Sequence, residues 1–163
     1  MRHLNMLAVL LATLLVSACG IFSQTPEEVQ RTAQIVRERL DNRTYTIDVD
    51  YMIPLRGKPQ IVNSFSITVD GDVLDSHLPY FGVAQNASYG GGNALSFKER
   101  ISGYSDTGFV GDKRSILMQV KTQEDIFVYS ITVFDNGSAD INVNCHNRDD
   151  ISYRGNLRTR DAE

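Results

Sequence analysis

A period-two alternation of apolar and polar residues begins at Arg43 and recurs almost to the end of the chain, which leaves little choice of fold class. Successive side chains of a β-strand point to opposite faces, so this alternation is typical of a sheet with one buried and one solvated face. The clearest apolar sets are Tyr45, Ile47, Val49, Tyr51 and Ile53; Ile61, Phe65, Ile67 and Val69; Phe127, Tyr129, Ile131 and Val133; and Ala139, Ile141, Val143 and Cys145. The chain is therefore predicted to be mainly β.

The turns between these segments indicate how the strands are connected. Asp70-Gly71 and Asp135-Asn136-Gly137 are typical of tight β-hairpins. Further strands are predicted at Val73–Leu78, Leu95–Glu99, Ile116–Thr122 and Ile126–Phe134, with a last short one at Ile151–Arg154. Short sequential hairpins predict an antiparallel meander of seven or eight strands. Such a curved sheet can close into a barrel or fold into a sandwich, and the sequence leaves both open.

One amphipathic helix is predicted before the strands, which makes the chain formally α+β. Thr25, Pro26 and Glu28 fit an N-cap, a first helical position and a capping box. The apolar residues Val29, Ala33, Val36 and Leu40 then follow at helical spacing. Short helices depend on tertiary packing, so we expect this stripe to dock on the sheet, with a partner-binding face as the alternative.

The N-terminus has the pattern of an export signal. Arg2 and His3 precede an apolar run from Leu4 to Val16, which is too short to span a membrane. Val16-Ser17-Ala18-Cys19 resembles the bacterial lipobox, after which cleavage between Ala18 and Cys19 leaves a lipidated cysteine. The predicted organisation is a signal peptide at 1–18, Cys19 with a short tether at 19–24, one β-rich domain at 25–158 and a tail at 159–163.

The net charge of the chain limits which partners it can bind. The chain has 16 basic and 20 acidic side chains, a net charge of −4. An acidic domain is a poor candidate for nucleic-acid binding, which depends on Lys and Arg at the phosphates. We therefore expect no nucleic acid, and we expect contact with the membrane through acyl chains on Cys19.

No motif predicts a cofactor, a metal ion or a catalytic centre. Cys145 and His146 are neighbours in a strand and should face opposite sides, with Cys145 an inert core thiol. The polar residues Asp140, Asn142 and Asn144 lack the spacing of a calcium loop, and a solvated outer face is expected there. The glycines at 90–92 have no lysine after them, as a phosphate loop requires. Asp75 and His77 share a strand face but lack a recognised nucleophile.

The connection from His77 to Asn93 is long for a hairpin and rich in glycine and aromatic residues. Long loops in compact domains often carry function. Tyr80, Phe81 and Tyr89 are therefore the candidate ligand-binding residues. The alternative is structural, with these aromatic side chains plugging one end of a barrel.

Four short segments together resemble a known family. They are Pro54-Leu-Arg-Gly-Lys58, Leu78-Pro-Tyr-Phe-Gly82, Tyr89-Gly-Gly91 and Ile151-Ser-Tyr-Arg-Gly155. Their order and spacing are similar to those of small Bacteroidota lipoproteins known as domain of unknown function 4251. The resemblance covers roughly residues 25–157 and implies a cell-envelope lipoprotein, without implying an activity. In those bacteria surface display is linked to acidic residues directly after the lipidated cysteine, and residues 20–24 have none. The resemblance thus implies an outer-membrane position facing the periplasm.

Three functions are compatible with these observations. The first is a non-enzymatic binding or structural module of the envelope, with a small apolar ligand or a protein as its partner. The second is an accessory lipoprotein that binds a partner protein through a sheet edge or the helix stripe. The third, ranked last, is a hydrolase that uses Asp75 and His77.

Overall fold

The structure is a computed structural model that describes residues 25–83 and 95–160. In these residues one helix precedes eight strands. They are α1 (Pro26–Asp41), β1 (Thr44–Pro54), β2 (Gln60–Asp70), β3 (Val73–Leu78), β4 (Leu95–Val110), β5 (Lys113–Lys121), β6 (Ile126–Phe134), β7 (Ser138–Cys145) and β8 (Ile151–Leu157). The expected signal peptide, the lipid-attachment residue Cys19, the tether and Tyr89 lie outside the described residues.

The eight strands form a closed antiparallel barrel. Each strand pairs with the next along the chain, and β8 pairs back onto β1, from Ile47 opposite Leu157 to Pro54 opposite Ile151. The predicted antiparallel meander is confirmed. Of the two predicted arrangements, a barrel and a sandwich, the structure is a barrel. Closure leaves none of the eight strands with an unpaired edge, which removes the usual site of sheet-to-sheet aggregation.

The interior of the barrel is filled by large side chains. Fully buried tyrosines from three strands (Tyr45, Tyr129 and Tyr153) meet aliphatic residues from all eight strands. The described core runs from Val36 to Leu157, so a chain that begins at Thr25 contains all of it. The apolar faces predicted for β6 and β7 lie inside, as the alternation requires.

The helix begins with the predicted capping box. The backbone N–H of Thr25 donates to Glu28 Oε2 (2.9 Å), and the backbone N–H of Glu28 donates to Thr25 Oγ1 (3.3 Å). Only the C-terminal half of the apolar stripe is buried, at Val36 and Leu40, whereas Val29 is 47% exposed. The expected docking is thus made by the last turns of the helix.

The helix and the long connection mark opposite ends of the barrel. One end, called the helix end, holds the hairpin turns at 71–72, 111–112 and 135–137, and α1 packs there. Asp41 of α1 accepts a 2.5 Å ion-pair contact from Arg114 of β5, and the Arg37 guanidinium lies 4.1 Å from the Phe109 ring centroid. The other end, called the loop end, holds the connections that follow β1, β3, β5 and β7.

Irregularities interrupt the predicted alternation in three strands. In β2, Ile61 lies opposite Tyr51 and is exposed, although the pattern placed it on one face with Phe65 and Ile67. β4 extends to Val110 where Glu99 was expected to end it, and its register shifts between Ile101 and Gly103 and again after Asp106. β1 shifts register against β8 between Val49 and Tyr51, where two residues of β1 correspond to one of β8. The extra residue in that bulge turns Tyr51 to the outside, although the period-two pattern placed it in the core.

Candidate functional site

The segment that follows β3 crosses the loop end and is held there by backbone contacts. Tyr153 Oη donates to the carbonyl oxygen of Pro79 (2.6 Å), and Tyr80 Oη donates to that of Asp149 (3.0 Å). Val83 N–H donates to Asp149 Oδ2 (3.2 Å), and Asp149 N–H donates to Val83 O (3.0 Å). The first residues of the long connection are therefore fixed to the β7–β8 turn.

Tyr80 is half-buried in this arrangement and packs against the core. Burial raises the pKa of its hydroxyl to about 12, with the Cys145 and Asp149 charges adding to the shift, so the group stays protonated and donates. Gly82 makes room for it, since a Cβ at position 82 would lie 2.5 Å from Tyr80 Oη. The Leu78–Gly82 motif thus places the Tyr80 hydroxyl against the β7–β8 turn.

A buried ion pair lies beneath the segment. The Asp125 carboxylate is fully buried and accepts Arg148 Nε at 3.0 Å. Its Oδ1 also accepts the backbone N–H groups of Ile126 (2.8 Å), His146 (3.1 Å) and Asn147 (3.1 Å). This carboxylate therefore joins the β5–β6 turn to the β7–β8 turn.

Sequence reasoning missed this pair. The Arg148 side chain is buried, with its guanidinium 5.6 Å from the ring centroids of both Tyr80 and Phe127. The partner carboxylate lies 23 residues away, in another turn. No local pattern in the sequence joins the two residues.

Above this polar support, four apolar side chains of the loop end are exposed, and we call them the apolar rim. Leu55, Ile61, Phe81 and Val83 are between 59% and 73% exposed. Arg56 and Lys58 lie in the same turn as Leu55 and form no ion pair with any described residue. The rim therefore combines exposed apolar surface with free positive charge, on a chain whose net charge is −4.

The candidate ligand-binding residues have different surroundings. Tyr80 is half-buried and packs against the core at the loop end, which fits the structural alternative. Phe81, in contrast, is 59% exposed. Tyr89 falls outside the described residues. The proposed binding role of all three stays a prediction.

The residues considered for catalysis are not assembled into a recognised centre. His77 and Asp75 are exposed on the outer wall, where His77 Nδ1 contacts Ser96 Oγ (3.2 Å) and Asp75 Oδ2 lies 3.6 Å from Lys98 Nζ. Cys145 is half-buried and packs against the core on the strand face opposite exposed His146.

Burial raises the pKa of the Cys145 thiol to about 12, reinforced by the Asp125 and Asp150 charges. A thiol in this state is a poor nucleophile. Within residues 25–83 and 95–160, no group of His, Cys, Asp and Glu side chains could hold a metal ion. In the same residues, no helix has the length and apolar character needed to cross a membrane.

Three of the four motifs that carry the family resemblance come together at the loop end or lead into it. Pro54–Lys58 forms the β1–β2 turn, Leu78–Gly82 crosses the opening, and Ile151–Gly155 begins β8. Tyr153 of the last motif bonds Pro79 of the second. The residues that make the sequence distinctive are thus gathered at one end of the barrel.

Comparison with known proteins identifies the family of the chain. A family profile described as "Domain of unknown function (DUF4251)" matches residues 27–157. The crystal structure of a DUF4251 family protein from Bacteroides eggerthii superposes with a TM-score of 0.59 at 13% identity, covering 77% of this chain and 86% of that chain. No curated protein matches the chain. Since the profile spans most of the sequence, from the helix to the last strand, the chain belongs to the DUF4251 family.

Proposed function

We propose that this chain is a non-enzymatic cell-envelope lipoprotein that docks on a partner protein through the loop end of its barrel. The observation that carries the proposal is the apolar rim together with Arg56 and Lys58. Large apolar side chains that are exposed at the same end of a domain are typical of interaction sites. The free positive charge of the same turn favours a partner with an acidic surface, because complementary charge steers association.

The state of the interior favours a protein partner over a small apolar ligand. The barrel mouth is the usual place for such a ligand. Here Tyr153, Tyr80 and Phe127 pack beneath the mouth, and the Arg148 guanidinium lies 5.6 Å from the ring centroids of both Tyr80 and Phe127. A ligand inside the barrel would have to displace these side chains, whereas a protein can contact Phe81 and Leu55 from outside.

The lipid anchor supports the same orientation. Cys19 precedes α1 by a few residues, and a tether of five residues reaches about 17 Å at most. The C-terminal half of α1 packs on the helix end. Acyl chains on Cys19 would hold the chain through the N-terminus of α1, and we propose that the rim faces away from the anchoring membrane. We assign this membrane as the outer membrane, with the domain in the periplasm.

Site-specific photo-crosslinking in intact cells tests the partner. A benzoyl-phenylalanine in place of Phe81 should give one defined protein adduct, and Leu55→Glu or the pair Arg56→Glu and Lys58→Glu in the same chain should remove most of it. The matched control is the same probe at Val110, an equally exposed apolar residue (66%) of the helix end. Equal adducts at Val110, adducts with lipid alone, or no adduct at Phe81 would each contradict the proposal.

Mass spectrometry tests the anchor separately. The mature wild-type chain should begin at Cys19 and carry diacylglycerol and acyl groups, and it should fractionate with the outer membrane. Cys19→Ser should remain an uncleaved or unacylated precursor. A Cys19→Ser chain with normal processing and lipid mass would exclude the lipoprotein assignment but not the partner-binding rim.

A further inference from the structure

A polar groove runs along the outer wall of the barrel, on the strand faces opposite the core. It has a volume of about 360 Å³ and is formed by cross-strand rows on β6, β7 and β8. In one row Ser130, Asn142 and Ser152 lie side by side; in the next Thr132, Asp140 and Arg154 do. Short side chains form the floor, so the longer Arg154 and Ile53 stand as its walls.

The groups of the groove hold one another in place and leave further hydrogen-bonding capacity. Arg154 Nε lies 3.2 Å from Asp140 Oδ1 in an ion pair, and Ser152 Oγ donates to Asn142 Oδ1 (3.2 Å). The Asn142 amide N–H groups and the Ser130 hydroxyl bond no described residue. The groove thus presents hydrogen-bond donors and acceptors from three strands.

The side chains that line the groove carry no net charge. Its one carboxylate, Asp140, is paired with its one guanidinium, Arg154, so the lining is neutral as a whole. An anion would meet Asp140 and a cation would meet Arg154. A neutral ligand with many hydroxyl groups satisfies both without leaving either charge unpaired.

Apolar side chains border the groove on the β1 side. The bulge in β1 turns Tyr51 outward next to Arg154, its register partner on β8, and Tyr51 is 46% exposed. Ile53 lies opposite Ser152 and lines the groove. A tyrosine ring offers an apolar face and a hydroxyl together, which suits a ligand with C–H and O–H faces.

From this combination we propose that the outer wall of β1, β8, β7 and β6 binds a neutral oligosaccharide. Pyranose C–H faces pack on Tyr51 and Ile53, and the sugar hydroxyls exchange hydrogen bonds with Asn142, Ser130 and the Asp140–Arg154 pair. The site shares no residue with the partner-docking rim, although Tyr51 is the register partner of the rim residue Ile61, so it would be a second binding surface beside the rim.

The test uses the chain from Thr25 onwards, which contains the whole described core, and two-dimensional amide NMR. Chitotetraose, cellotetraose and maltotetraose are titrated in turn. At least one should shift the amides of Asn142, Ser152 and Arg154, and Tyr51→Ala or Asn142→Ala should weaken that binding at least tenfold. Asn63→Ala, an exposed asparagine of β2, is the matched control and should leave the dissociation constant unchanged.

Each outcome decides the proposal. The replaced side chains are exposed, so the variants should keep the wild-type spectrum away from the substitution. No shift with any of the three oligosaccharides would overturn the proposal. So would shifts that map elsewhere on the barrel, equal binding by Asn142→Ala, or inorganic phosphate as the only compound that shifts the groove amides.

Discussion

At the scale of single residues, Gly155 shows why one motif of the family contains a glycine. It lies opposite Val49 where β1 bulges, and a Cβ at position 155 would lie 1.9 Å from the Asp48 carbonyl oxygen. Backbone cannot move away as a side-chain tip can. The close approach of β8 to β1 at the seam of the barrel therefore excludes any side chain.

Gly155→Ala should lower the free energy of unfolding by about 1–3 kcal/mol, because the added methyl group forces the two strands apart. Urea denaturation followed by circular dichroism measures it. Gly103→Ala is the control: this glycine also lies in a strand, but its Cβ would be 3.6 Å from the nearest atom. That variant should stay within about 0.5 kcal/mol of wild type. Equal losses in both variants would contradict the argument.

Cys145 provides a second prediction at this scale. Burial raises its thiol pKa from 9.0 to about 12, and nearby carboxylates add to the shift. Only the thiolate reacts, so in the chain from Thr25 onwards, where it is the single cysteine, Ellman's reagent at pH 8 should label the folded protein at least about a hundredfold more slowly than the urea-unfolded protein. Rapid labelling of the folded chain would contradict this.

The raised pKa of Cys145 also makes the free energy of unfolding depend on pH. The folded state favours the neutral thiol, so the contribution of Cys145 to stability is fully present below pH 9 and is lost as the pH rises through the folded pKa of about 12. Cys145→Ala should therefore show a weaker loss of stability than wild type in that alkaline range.

At the scale of elements, the helix stripe and the bulged strands show where the sequence pattern was sufficient. The capping box and the period of α1 predicted its bounds well, because both signals are local. The pattern could not show how far along the stripe the helix stays in contact with the barrel. Likewise Tyr51 was expected inside, since an alternation carries no mark of the extra residue in a bulge.

The two ends of the helix stripe should therefore respond differently to truncation. Leu40→Ala should cost about 2–5 kcal/mol of unfolding free energy, because Leu40 is fully buried where α1 meets the barrel. Val29→Ala, in the same stripe and the same helix, should cost less than about 0.5 kcal/mol because Val29 is half exposed. Thermal unfolding of both variants measures this, and a similar loss in the two would show that the whole helix docks.

At the scale of the whole molecule, the local pattern predicted the order of the strands but not the contacts between turns. Closure requires β8 to pair with β1, which is more than a hundred residues away in the sequence. The hydrogen bond between Asn156 and Asp50 is one such contact. The same holds for the candidate site. Tyr80 and Phe81 were found from an unusual loop, whereas Ile61 was expected in the core and Asp125 was not singled out. These residues acquire their roles only when the β1–β2, β3–β4 and β7–β8 connections meet at one end.

The last prediction concerns the closure of the barrel by β8. Ending the chain at Asp150 deletes β8, which removes the buried residues Ile151, Tyr153 and Leu157 and leaves β1 and β7 with unpaired edges. Such edges pair with other chains, so this truncation should lose cooperative unfolding and aggregate in size-exclusion chromatography. Ending the chain at Thr159 keeps β8 and the Arg158–Asp48 ion pair, and it should remain monomeric with an unchanged urea midpoint. Cooperative folding of the chain that ends at Asp150 would show that seven strands suffice and that closure is not what stabilises the barrel.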